Sequence, residues 1–63
     1  MIGQLTEKEL LAIEDQLSHE QTIISKYKTY ADECTDMELK SKYNEIITRH
    51  QKHFDTLYHA ISG

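Results

Sequence analysis

Three side chains in this sequence could do chemistry together: Glu20, His50 and His53. Residues three apart share a helix face, so His50 and His53 point the same way. Ile46, Ile47 and Phe54 lie three or four residues from His50, which puts that histidine in the middle of an apolar stripe. Glu20 holds the matching place in the first half of the chain. A carboxylate in such a place is costly unless it is paired or bound to a metal. Helical bundles that bind two metals take one Glu from each of two helices and a Glu-x-x-His from each of the other two. Here the analogue is Glu20 with His50-x-x-His53, a donor set that suits Zn, Fe, Mn or Ni. A second reading stays open beside the metal site. Glu20 and His50 could form a polar layer that fixes register and oligomeric state, with His53 turned toward solvent beside Arg49. A variant of that layer is a pH switch, because stacked histidines gain charge near pH ~6.

The elements that must position these residues are two long helices. Thr6 can cap the first, Glu9 three residues on completes a capping box, and Leu5 with Leu10 forms the accompanying apolar staple. Met1 to Leu5 is a short lead-in. No Pro or Gly then interrupts the chain before Gly63. Apolar positions run Leu10, Ile13, Leu17, Ile24, Tyr27, Ala31 and Cys34 in steps of three and four, a heptad seam. The missing member is position 20, which is Glu20. The pattern breaks at Glu33-Cys34-Thr35-Asp36. Thr35 or Asp36 can cap a second helix, with Glu38 placed for a capping box on Thr35. The second seam reads Leu39, Tyr43, Ile46 or Ile47, His50, His53 or Phe54, Leu57, then Ala60 or Ile61. Glu38/Lys42 and Glu45/Arg49 are i,i+4 pairs in the favourable order. The expectation is a single domain over residues 1–63, with helix 1 at about 7–33 and helix 2 at about 36–61, each about 40 Å long.

A turn this short forces the helices antiparallel. If it is centred on position 35, residues at one height have numbers that sum to about 70. Ile24 then meets Ile46, Tyr27 meets Tyr43, Leu17 meets His53, and Glu20 meets His50. The two seam positions that break the apolar pattern come to the same level.

One hairpin cannot cover both of its wide apolar faces. Ile23 and Tyr30 flank the first seam, and Ile46, Ile47, Phe54 and Tyr58 widen the second. A second copy completes the structure, so the predicted fold is all-α: an antiparallel two-helix hairpin that dimerises into a four-helix bundle. A chain of 63 residues buries only about 60% of its unfolded surface, which favours the same conclusion.

Composition narrows the partners. Net charge is −4, with seven basic residues scattered among eleven acids and a pI near 5.4. A phosphate-backbone binder would show a clustered basic face, so no nucleic-acid partner is expected. No apolar run approaches the roughly 18 residues of a membrane span, and the start lacks the regions of a signal peptide. The expected place is the cytoplasm. Cys34 is single, so no internal disulfide forms, and it reads as a small core or turn residue. His19 and His59 lie off the seams and should be exposed. Tyr27, Tyr30, Tyr43 and Tyr58 sit at helical spacing and read as core or interface residues. There is no Gly-rich phosphate loop and no serine nucleophile with a base, so no enzyme is expected.

The ordered set Glu9-Leu10-Leu11, Glu14-Asp15-Gln16-Leu17, Glu20-Gln21, Lys26-Tyr27, Tyr30-Ala31, Asp36, Leu39-Lys40 and His50-x-x-His53-Phe54 resembles the coat F family of spore coat proteins, a branch of ferritin-like helical proteins. The match runs roughly from Leu5 to Ile61. The resemblance implies a ferritin-like hairpin, a structural role in or near the spore coat, and coat proteins as possible partners. It also implies descent from metal-binding bundles, with Glu20 at a ligand position. The sequence departs from the ferritin-like motif at position 50, where His replaces the Glu of Glu-x-x-His. That leaves fewer carboxylates to balance two cations and points to a single-metal or vestigial site.

Overall fold

The structure is a computed structural model and describes residues 5–62. Met1–Gln4 of the lead-in and the terminal Gly63 lie outside the described residues. Helix α1 spans Glu7–Glu33 and helix α2 spans Met37–Ser62. They pack antiparallel as a hairpin with a longest dimension of 47 Å, and there is no strand among the described residues.

Helix α1 starts where its capping signals lie. Thr6 Oγ1 accepts from the Glu9 backbone N–H at 3.1 Å, and Glu9 Oε1 accepts from the Thr6 N–H at 3.0 Å. This reciprocal pair satisfies two amides that the first turn would otherwise leave free. It also holds the Glu9 carboxyl below its ordinary range, first through the Thr6 backbone hydrogen bond and then through the Thr6 hydroxyl.

Of the two residues able to cap α2, Asp36 does so. Its Oδ1 accepts from Glu38 N–H at 2.9 Å and from Leu39 N–H at 3.2 Å. The Thr35–Glu38 box does not form, because Asp36 already engages the Glu38 amide. The helix accordingly begins at Met37, one residue later than the spacing predicts. Cys34 turns the chain in extended backbone, φ −80° and ψ 127°, and its thiol donates to the Asp36 carbonyl at 3.4 Å. Asp36→Ala removes both amide acceptors and should cost about 1 kcal/mol; urea unfolding followed by circular dichroism checks it, with Thr35→Ala as the near-neutral control.

The register follows a sum of 70. Tyr27 and Tyr43 meet with ring centroids 5.7 Å apart, and Glu20 meets His50 at hydrogen-bond distance. Tyr30 completes an aromatic cluster near the turn, 5.7 Å from Tyr27 and 5.9 Å from Tyr43. At the open end Phe54 and Tyr58 stack along α2.

The core is thin. Among the described residues only Glu20, Ile24 and Ala31 are buried, while Ile13, Leu17, Tyr27, Tyr43, Ile46, Ile47, Phe54 and Leu57 are half-covered. Two seam positions behave differently from the pattern. Leu10 and Leu39 are exposed, and Lys40 is half-covered in place of Leu39, consistent with an aliphatic stem laid along the seam. The surface pairs differ too. Lys42 reaches Glu45 at 4.0 Å, an i,i+3 contact, where the sequence places Lys42 with Glu38.

Candidate functional site

The middle of each helix contributes to one polar cluster. Uninterrupted helix on both sides of Glu20 and of His50 holds their Cα atoms rigid, and the short turn brings the two to one height. The Glu20 side chain is 6% exposed, that of His50 24% and that of His53 52%. Exposure therefore rises steadily from the carboxylate outward. His50 Nδ1 lies 2.6 Å from Glu20 Oε2, short enough for a charge-assisted bond. His53 Nδ1 faces the other oxygen, Oε1, at 3.8 Å. The two rings stand nearly edge to face, with centroids 5.3 Å apart.

The sequence reading places Glu20, His50 and His53 together, and the structure brings all three into one group whose donor atoms lie within 4.8 Å of one another. His53 keeps a ring edge toward Glu20 while half its side chain meets solvent. His19 and His59 are exposed and belong to no such group among the described residues.

One member went unread. Gln16 Nε2 donates to Glu20 Oε1 at 3.1 Å. The signal was available in the chain, since Gln16 and Glu20 are four apart on α1 and such pairs face each other. Glu20 thus has both oxygens engaged, and no buried polar side-chain atom among the described residues lacks a partner.

These contacts decide the charge on Glu20. Burial pushes its carboxyl up. The His50 hydrogen bond, then the Gln16 hydrogen bond, then the positive charge of His50 and His53 pull it down, and the net result lies below the ordinary value of 4.5. The group is an anion near neutrality, held in the least exposed polar position of the hairpin. Such an anion suits a cation partner, either a protonated imidazole or a metal.

No family model, curated protein or solved structure matches this chain.

A single-ion site is the one the donor set fits. Two imidazoles and one carboxylate suit a borderline divalent ion such as Zn or Fe. A site for two cations would call for more carboxylates than the single one in this group. No helix among the described residues is long and apolar enough to cross a membrane.

Proposed function

We propose that this chain is a small structural or assembly protein of the coat F type, and not an enzyme. Its hairpin pairs with a second copy into a ferritin-like four-helix bundle, and coat proteins are its further partners in or near the spore coat. The observation that supports this is the mismatch between what the hairpin buries and what it exposes. Ile24 and Ala31 are its only buried apolar residues among those described, whereas Leu10, Leu11, Tyr30, Leu39 and Tyr58 are exposed. Burial of apolar area is the main favourable contribution to folding, and a two-fold partner is the commonest way for a small chain to gain it. The cost of ordering about 60 residues is far beyond what two buried side chains offset.

The experiment is solution mass by sedimentation across a wide concentration range, with helicity recorded in parallel. A dimer whose melting temperature rises with concentration is expected. A monomer that stays fully helical at micromolar concentration sinks the proposal. In sporulating cells of its host, a fluorescent fusion should decorate the coat; uniform cytoplasmic signal throughout sporulation would remove the coat assignment.

The clustered donors favour a second reading, a metal-binding ferritin-like bundle that uses Glu20, His50 and His53 for Zn, Fe or Mn. A ligand bound to the folded state alone stabilises it by mass action. Under this reading a chelator lowers the melting temperature, and under the purely structural one it does not.

A further inference from the structure

We propose that the second copy docks on one side of the hairpin, the side of Leu17, Ile24, Ile47 and Phe54, and runs antiparallel to the first with the two turns at opposite ends. This rests on the pairing of two copies proposed above and names the surfaces that meet.

The hairpin has two distinct sides. A helix turns about 100° per residue, so Leu17, Gln21 and Ile24 lie to one side of Glu20 on α1, and Gln16 and Ile23 to the other. About His50 on α2, Ile47, Gln51 and Phe54 lie to one side, and Ile46 and His53 to the other. Across the two helices these sides join. Gln21, Ile24, Gln51 and Phe54 line one shared groove. Gln16 and His53 face the same oxygen of Glu20 from the opposite side, at 3.1 Å and 3.8 Å.

The groove side is the apolar one. Its rows keep a seven-residue spacing with no polar interruption: Leu10, Leu17, Ile24 and Ala31 on α1, then Ile47, Phe54 and Ile61 on α2. The matching rows on the other side carry Glu9 and Gln16 on α1 and His53 on α2. Docking there would take the open edge of the polar cluster out of water, which costs free energy. On the groove side Leu17, Ile47 and Phe54 are only half-covered, and Leu10 and Tyr58 are exposed. The accessible surface is 5013 Å², against about 4200 Å² for a compact monomer of 7.4 kDa. The excess, roughly 800 Å², is what each partner contributes to a standard-size interface.

Charge and spacing fix the orientation. Glu20 is the central residue of α1, and His50 adjoins the centre of α2. A half-turn about that level lays α1 on α1 and α2 on α2, antiparallel. Leu17 then meets Ile24 of the partner subunit, and Leu10 meets Ala31 of the partner subunit. The row is its own complement, as a two-fold contact between identical copies requires. Glu14 comes beside Lys28 of the partner subunit. With both turns at one end, Lys28 would instead approach Lys40 of the partner subunit and Glu14 would approach Asp55 of the partner subunit, like charges in each case.

Sedimentation across a concentration series, with helicity recorded on the same samples, tests this on the full chain. Ile46 and Ile47 are neighbours, both half-covered, one on each side. Ile47→Glu should raise the dimer dissociation constant about 100-fold, and Ile46→Glu should leave it close to that of the unsubstituted chain. The reverse ranking, or equal loss in both, overturns the choice of side and leaves the pairing itself standing. An unsubstituted chain that stays monomeric throughout sinks both. A charge exchange tests the orientation without touching the core, because Glu14 and Lys28 are exposed and roughly 21 Å apart along α1 at about 1.5 Å per residue. Glu14→Lys or Lys28→Glu alone should weaken the dimer about threefold to tenfold, and the two together should restore it with helicity unchanged. A double variant no tighter than the single ones, or single variants that associate like the unsubstituted chain, overturns the antiparallel arrangement.

Discussion

Glu20→Ala should lower the unfolding free energy by about 2 kcal/mol, whereas replacing Glu20 and His50 together by leucine should leave stability unchanged or raise it. The two outcomes share one cause. Glu20 is the one charged side chain buried among the described residues, and its contacts with His50 and Gln16 offset the water it gave up. Removing the carboxylate alone leaves His50 Nδ1 without its partner against an apolar seam, and leaves a void where the side chain was. Partial exposure of His50 lets water reach the ring, which keeps the loss below the 3–5 kcal/mol typical of breaking a fully buried pair. Exchanging both partners for leucine removes the desolvation cost and extends the apolar seam through its one interruption, a change that is often neutral or stabilising by about 1–4 kcal/mol. Chemical denaturation of the single and double variants at one protein concentration measures both. Equal destabilisation by the two variants would contradict this account.

The same pair sets a pH dependence. The folded-state Glu20 carboxyl lies below its ordinary value of 4.5, so the unfolded chain takes up this proton first on acidification. Stability from Glu20 is thus fully present above 4.5 and is lost as the pH falls through the lower folded value. The doubly substituted leucine variant should lack this acid-sensitive component, leaving a flatter stability profile below pH ~4.5.

Tyr43→Ala is expected to be the most damaging change outside the polar cluster, at about 3 kcal/mol. Tyr43 is the aromatic contribution of α2 to the turn-end cluster. Its ring meets Tyr27 at 5.7 Å and Tyr30 at 5.9 Å, so truncation removes two of three ring contacts, each worth about 0.5–1.5 kcal/mol beyond area burial. The cluster lies toward the Cys34–Asp36 turn end of the hairpin. For a domain of this size, whose single core supplies only about 3–5 kcal/mol, a loss of that magnitude removes most of the folded population. Thermal melting by circular dichroism at fixed concentration tests it. Leu39→Ala is the control: Leu39 is 44% exposed and should cost well under 1 kcal/mol in the isolated hairpin. A larger effect on oligomer mass than on helicity would place Leu39 in the subunit contact.

Much of this architecture was legible in the chain because helical structure is local. The Thr6–Glu9 box needs only four residues, and the absence of Pro and internal Gly between Thr6 and Ser62 leaves nothing to stop a helix except the turn. The turn length then dictates antiparallel packing, and one arithmetic relation places Glu20 against His50 and Tyr27 against Tyr43. Side-chain choices among close alternatives were not legible. Thr35 and Asp36 both suit a cap, and only the assembled turn shows the Asp36 carboxylate reaching two amides. Leu39 and Lys40 both lie near the seam, and helix rotation, set by packing against α1, turned the leucine outward.

The cluster divides in the same way. Residue types and a 30-residue spacing determined that a carboxylate and an imidazole meet at mid-helix, because register in a short antiparallel hairpin brings positions 20 and 50 to one height. Tertiary structure alone decided which atoms face each other. It turned both Nδ1 atoms to the carboxylate, recruited Gln16, and graded exposure outward from Glu20 to His53. The reason is that spacing fixes Cα positions along a helix, whereas side-chain torsions answer to the neighbouring helix and to water.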